Sequence, residues 1–245
     1  MKKAKTGRWK RVYKIVSTVA AVVGVGYLVL LMFPQALFAY STEHGGFRVY
    51  SREPIGAEMG KVLDKAEEKL KGSGIYDASS SRDIYLTGSH AMYAFLSHKA
   101  YNSFANSVPF INNIIINKTD PRSDRVIMNR ASASGSNTRS LSGVIAHETA
   151  HLFIRKRYGT IAAALMPTWK NEGYCEYIAG DTTITLEEGI RRWRSTPDDD
   201  TGYRYIKYQL MVRHLLEREN VSVDDLFKNT YDEKAVAERT FAALE

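Results

Sequence analysis

His147 and His151 stand four residues apart with Glu148 between them, in the stretch Ser142-Gly143-Val144-Ile145-Ala146-His147-Glu148-Thr149-Ala150-His151-Leu152. Positions four apart share one face of a helix, so two imidazoles at this spacing can reach a single metal ion. Glu148 follows the first imidazole directly and does not need to bind the ion itself. Its carboxylate can hold a water there and take its proton. The bland alternative is an amphipathic surface helix that carries two histidines by chance.

Two histidines leave a catalytic metal one protein ligand short, because such sites combine three ligands with an open position. The next informative stretch is Met166-Pro167-Thr168-Trp169-Lys170-Asn171-Glu172-Gly173-Tyr174-Cys175-Glu176-Tyr177. Together, His147-Glu148-Thr149-Ala150-His151 and Asn171-Glu172-Gly173 resemble the glutamate-zincin peptidases, the thermolysin-like and aminopeptidase-like families in which a second helix begins Asn-Glu-Gly. The resemblance implies that Glu172 is the third ligand of one Zn2+ per chain, that Glu148 is the general base, and that the substrate is a peptide or protein. It also implies an α+β zincin-like domain with a small mixed or antiparallel sheet and two active-site helices. Read from the residues alone, Glu172 is equally a negative charge favoured at a helix N-terminus.

Glu176 lies four residues past Glu172, on the same helical face. Its position is similar to that of the acid that accepts a hydrogen bond from a ligating imidazole in thermolysin-like enzymes, where the residue is Asp. The alternative is an ordinary exposed glutamate. These families also take an oxyanion donor from a later helix. Tyr205 fits that place best, with Tyr208 and Tyr203 behind it, while His214 is a competing donor whose late position suits packing or surface. The resemblance further implies a strand that pairs with an extended peptide, and Arg125 to Met128 is the candidate. The motifs are specific over His147 to Tyr177, suggestive out to Leu216, and absent before Ala131.

The elements that must position these residues are legible in outline. Ser140 is a plausible N-cap for the histidine helix, and Gly159 a plausible stop after Arg155-Lys156-Arg157-Tyr158. Upstream, Phe47 and Val49 alternate with Arg48 and Tyr50 as a strand ending by Pro54. Ile55, Met59, Val62, Leu63, Ala66 and Leu70 recur at helical spacing. Asp83 to Thr87, Phe110 to Ile116 and Arg125 to Met128 read as strands, and His90 to Tyr101 as helical, with His90 and His98 as ordinary polar residues. Pro197-Asp198-Asp199-Asp200 matches no calcium-loop spacing and reads as a solvated turn.

Charge and hydropathy set the location. Lys2, Lys3, Lys5, Arg8, Lys10, Arg11 and Lys14 account for the whole formal net charge of +7, leaving 27 Lys and Arg against 27 Asp and Glu in the rest of the chain. That balance removes the case for nucleic acid as a partner. The apolar run at residues 15–33 is long enough to cross a bilayer, as an anchor or a signal sequence. The basic residues 1–14 before it predict a cytoplasmic N-terminus, and residues 47–245 then form an extracytoplasmic domain reached through a linker at 34–46. Cys175 is the single cysteine, so the chain forms no internal disulfide. The competing function classes are a zinc-binding module without hydrolysis, against which the intact Glu148 argues, and an anchored domain with an accidental motif.

Overall fold

The computed structural model describes residues 3–97, 102–111, 113–197 and 199–244. The chain divides into two compact units, with the boundary between Phe38 and Ala39. In the first, Lys3–Met32 is one continuous helix, α1. The expected border near residue 15 is not a structural break, because Lys and Arg are good helix formers and simply extend the apolar helix backwards. Within α1, the 24 residues Trp9–Met32 are long and apolar enough to cross a membrane. At the helical rise they span about 36 Å, against a hydrocarbon core of about 30 Å. Pro34 opens a short 3-10 turn, Pro34–Leu37.

The second unit is a mixed α+β fold that begins earlier than expected. Tyr40–His44 (β1), in the stretch read as a linker, pairs antiparallel with Phe47–Ser51 (β2). Gly45 and Gly46 form the turn between them, both at positive φ (55° and 83°). Two consecutive left-handed residues match the twist of a tight hairpin, which is why glycines stand there. The helix Glu58–Lys71 (α2) then crosses to Arg82–Leu86 (β3), which runs parallel to β2. After His90–Ser97 (α3), Ala105–Ser107 (β4) and Asn113–Ile116 (β5) complete a five-stranded sheet of order β1-β2-β3-β5-β4. β5 lies parallel to β3 and antiparallel to β4, which leaves β4 at an edge.

Two expectations shift here. The strand predicted from Phe110 begins only at Asn113; Phe110 is 80% exposed, with φ 66°, in the turn that follows Pro109. The helix predicted to Tyr101 is described to Ser97, and His98, Tyr101, Asn112 and Asp198 lie outside the described residues.

A three-stranded antiparallel sheet follows: Lys118–Asp120 (β6), Arg125–Ile127 (β7) and Thr138–Ser140 (β8), with β7 in the middle. This corrects the placing of a peptide-pairing edge at Arg125 to Met128, because both sides of β7 already carry ladder partners. A middle strand has no unpaired N–H and C=O row to offer.

Leu141–Tyr158 (α4) carries the histidines and is buried almost all round; every residue from Leu141 to Ala150 is in the interior. A helix without a polar face belongs inside a fold, and this one lies between α2 and the helices that follow. Its start is held firmly. Ser140 accepts the Gly143 N–H (2.9 Å), and the Asp124 carboxylate accepts both the Ser142 N–H (2.8 Å) and its hydroxyl (2.9 Å). Gly159 ends α4 at φ 92°, as its position in the sequence predicts.

Thr160–Leu165 (α5) is followed by Thr168–Ala179 (α6), which packs against both α4 and a later helix, Arg204–Arg213 (α8). Leu186–Ser195 (α7) precedes α8, and Val223–Lys228 (α9) and Glu233–Ala242 (α10) close the unit. The α6–α8 contact runs through Gly173, where an added Cβ would lie 2.5 Å from the Tyr208 carbonyl oxygen. Glycine therefore brings α6 against the backbone of α8, one residue away from Glu172.

Candidate metal centre

α4 projects His147 and His151 toward α6, which returns Glu172 to meet them. The two Nε2 atoms are 3.2 Å apart, Glu172 Oε2 is 3.3 Å from His147 Nε2, and Glu172 Oε1 is 3.5 Å from His151 Nε2. Ligands about 2.0–2.2 Å from a tetrahedral centre stand about 3.3–3.6 Å from one another. The two imidazole nitrogens and the carboxylate, which turns one oxygen to each imidazole, are thus spaced close to neighbouring ligands of one such ion. The residues present fit a small divalent ion with nitrogen and oxygen ligands.

The opposite ring nitrogens also face polar side chains, a hydrogen bond for His151 and an ion-pair contact for His147. Asn171 donates its Nδ2–H to the Ala163 carbonyl (3.1 Å), turning its Oδ1 to His151 Nδ1 at 3.0 Å. An amide oxygen only accepts, so His151 carries its proton on Nδ1 and aims the Nε2 lone pair toward Glu172 and His147. His147 Nδ1 faces Glu176 Oε1 at 3.3 Å, outside full hydrogen-bond alignment. Glu176 is fully engaged from the other side: Arg139 donates Nη1–H to its Oε1 (2.9 Å) and Nη2–H to its Oε2 (2.6 Å). Arg139 also donates to the Asp181 carbonyl (2.6 Å), just past the end of α6, and Asp181 accepts the Ser140 hydroxyl (2.5 Å) at the start of α4. Glu176 is interior, which removes the exposed-glutamate reading.

The electrostatics follow from this crowding. Burial pulls the His147 imidazole down, but the charges of Glu176 and Glu172 outweigh it and raise its pKa to about 10. Burial works against the Glu172 charge as well, yet the two histidines hold its carboxyl well below the usual range. Glu176 is lowered against the same penalty, chiefly by Arg139 and then by His147. The cluster of carboxylates stabilises positive charge at the imidazoles, the charge a metal ion would bring without a proton.

Cys175 offers a second metal-capable grouping, since ligand atoms of His147, His151 and Cys175 lie within 4.8 Å of one another. Its Sγ, however, is 3.3 Å from His151 Nδ1, the nitrogen turned away from Glu172 and already facing Asn171. Burial first, and then the charges of Glu172, Glu148 and Glu176, push its thiol well above the ordinary range. The tighter set is therefore His147, His151 and Glu172, with Cys175 packed behind it.

His147, His151, Asn171, Glu172, Glu176 and Arg139 open on one cavity of about 920 Å³, which Glu148 and Tyr205 also line. Tyr205 is 52% exposed; packing around its hydroxyl, then the charges of Glu172 and Glu176, push its pKa up to about 12, so it remains a donor. Tyr203 also borders the cavity but donates to the Thr196 carbonyl (2.7 Å). Tyr208 is buried outside the lining, and His214 turns to Glu219 at 3.1 Å. The edge strand β4 forms another part of the wall. Asp200, in the solvated turn, pairs with Arg204 (3.0 Å).

Sequence reasoning missed Arg139, the bracing role of Asn171, and β4. Arg139 stands just before a helix cap with its partner 37 positions away, so no local pattern marks it. Asn171 precedes Glu172 directly, and its amide was the one legible signal. No known family's sequence profile matches this chain, and no curated protein matches it.

Proposed function

We propose that the chain is a membrane-anchored zinc peptidase of the glutamate-zincin type. The observation that carries this reading is the grouping of His147, His151 and Glu172, with the two Nε2 atoms 3.2 Å apart and one Glu172 oxygen 3.3 Å from the first and the other 3.5 Å from the second, open to the same cavity as Glu148 and Tyr205. Two imidazoles and a carboxylate are the donor set of hydrolytic zinc sites. A zinc ion held there would acidify a water and polarise a carbonyl oxygen.

The residues of the chain do the rest. Glu148 takes the proton of the attacking water at its carboxylate and delivers it to the departing amine. Tyr205 donates its hydroxyl proton to the oxygen that gains charge as the carbonyl is attacked. Asn171 and Glu176 hold the Nδ1 sides of the imidazoles, so that both Nε2 lone pairs stay turned inward. β4 offers its free edge to an extended peptide by strand addition, in place of the paired β7. The basic residues at the start of the chain, ahead of the apolar part of α1, put the N-terminus in the cytoplasm and the catalytic domain outside it.

The test uses the full-length chain in detergent. Metal analysis by plasma mass spectrometry is expected to find one zinc per chain, lost in His147→Ala. A peptide library is expected to be cleaved by the parent and roughly 10²–10⁴-fold more slowly by Glu148→Gln, which keeps its zinc. Absence of zinc from the parent sinks the metal site. Zinc without cleavage by either protein replaces the enzyme with a binding module, and equal cleavage by both removes the activity from this site.

A further inference from the structure

Arg155 lies on α4 one turn past His151 and lines the same cavity. Among the described residues its guanidinium makes no ion pair, its Nη2 is shielded from solvent with no hydrogen-bond partner, and burial lowers its pKa although the charge of Glu148 acts the other way. The other arginines on the cavity wall are committed: Arg139 to Glu176, and Arg204 to Asp200. An unpaired guanidinium in a partly dry site is costly, and its planar fork of donors matches a carboxylate.

Beyond Arg155, the exposed Ile161 and Leu165 of α5 make that end of the cavity apolar.

We infer that Arg155 is a specificity-determining residue that binds a carboxylate of the substrate. One helical turn is about 6 Å along the axis, roughly two extended residues, so the carboxylate belongs to a residue close to the scissile bond. It is either the C-terminal carboxylate of a short peptide or the side chain of an Asp or Glu. That the ligand is a peptide rests on the proposed activity; that it carries a carboxylate rests on Arg155.

Binding rather than turnover tests this, so the two readings fail separately. The protein is the full-length Glu148→Gln variant, zinc-loaded or chelated, and the probes are fluorescent peptides of one sequence. One pair differs as C-terminal acid or amide, and a second pair carries Glu or Gln at each interior position in turn. In the Arg155 background one carboxylate is expected to tighten binding roughly tenfold to a hundredfold. Arg155→Gln is expected to abolish that preference, and Arg155→Lys, which keeps charge but loses the fork, to retain part of it. The acid–amide pair and the Glu–Gln pair report which carboxylate it is. The inference is overturned if the Arg155 protein binds both members of each pair alike, or if its preference survives in Arg155→Gln. The first of those results needs no Arg155 variant to fold. Failure of the parent to cleave any peptide, with the preference intact, overturns only the peptidase reading.

Discussion

Two buried arginine–glutamate pairs, Arg82–Glu67 and Arg139–Glu176, are built to opposite plans. Arg82 is 1% exposed, is bound to Glu67 on α2, and donates Nε–H to the Ser80 carbonyl (3.2 Å). Its guanidinium lies 4.3 Å from the Phe47 ring centroid and 5.8 Å from that of Phe153, so aromatic faces seal it. Arg139–Glu176 borders a cavity instead, with Arg139 Nε and the neighbouring His147 Nδ1 left without a hydrogen bond. A closed pair satisfies its charges internally. The open one leaves buried polar atoms unsatisfied beside a cavity, and this distinguishes the two pairs.

The contrast can be broken in three places. Arg82→Ala strands the Glu67 carboxylate, and thermal or urea unfolding is expected to show a loss of about 3–5 kcal/mol. Zinc per folded chain is expected to stay unchanged; a parallel loss of metal would mean that the two regions are not separate. Asn171→Ala removes the acceptor that orients His151, and zinc affinity measured by chelator competition is expected to fall roughly 10–100-fold. If that affinity holds, the Nδ1 brace does not set the ligand direction. Cys175→Ala has the smallest effect, a stability loss of about 1 kcal/mol from the small void and no change in zinc stoichiometry. Loss of zinc in that variant would move the centre to the His147, His151 and Cys175 grouping.

Legibility followed the range of the interactions involved. The Ser140 cap, the Gly159 stop and the helical stripe of α2 could be read because caps and periodicity are written within a few residues. β1 went unread because it is a short edge strand, Tyr-Ser-Thr-Glu-His, with Tyr40, Ser41 and Glu43 exposed and little apolar signal. β4 is just three residues long and exists through its ladder with Ile114 to Ile116. The placing of a free edge at Arg125 to Met128 failed for the related reason that strand composition says nothing about which neighbours a strand acquires. Three tyrosines compete for one role at the start of α8, and Tyr205 alone among them combines a cavity position with a side chain open to solvent.

By itself the sequence determined the spacing that puts His147 and His151 on one helical face with Glu148 beside them, and an apolar helix behind a basic flank; the helix expected to begin at Asn171-Glu172-Gly173 starts three residues earlier, at Thr168. Those are properties of consecutive residues, and helical geometry converts them directly into directions in space. The tertiary structure alone decided that Glu172 faces both imidazoles, that Arg139 reaches Glu176 from a distant strand, and that Arg155 makes no ion pair among the described residues. Contacts between segments tens of residues apart depend on how helices and sheets pack, and the packing distance at Gly173 is what brings α8 and its Tyr205 to the site.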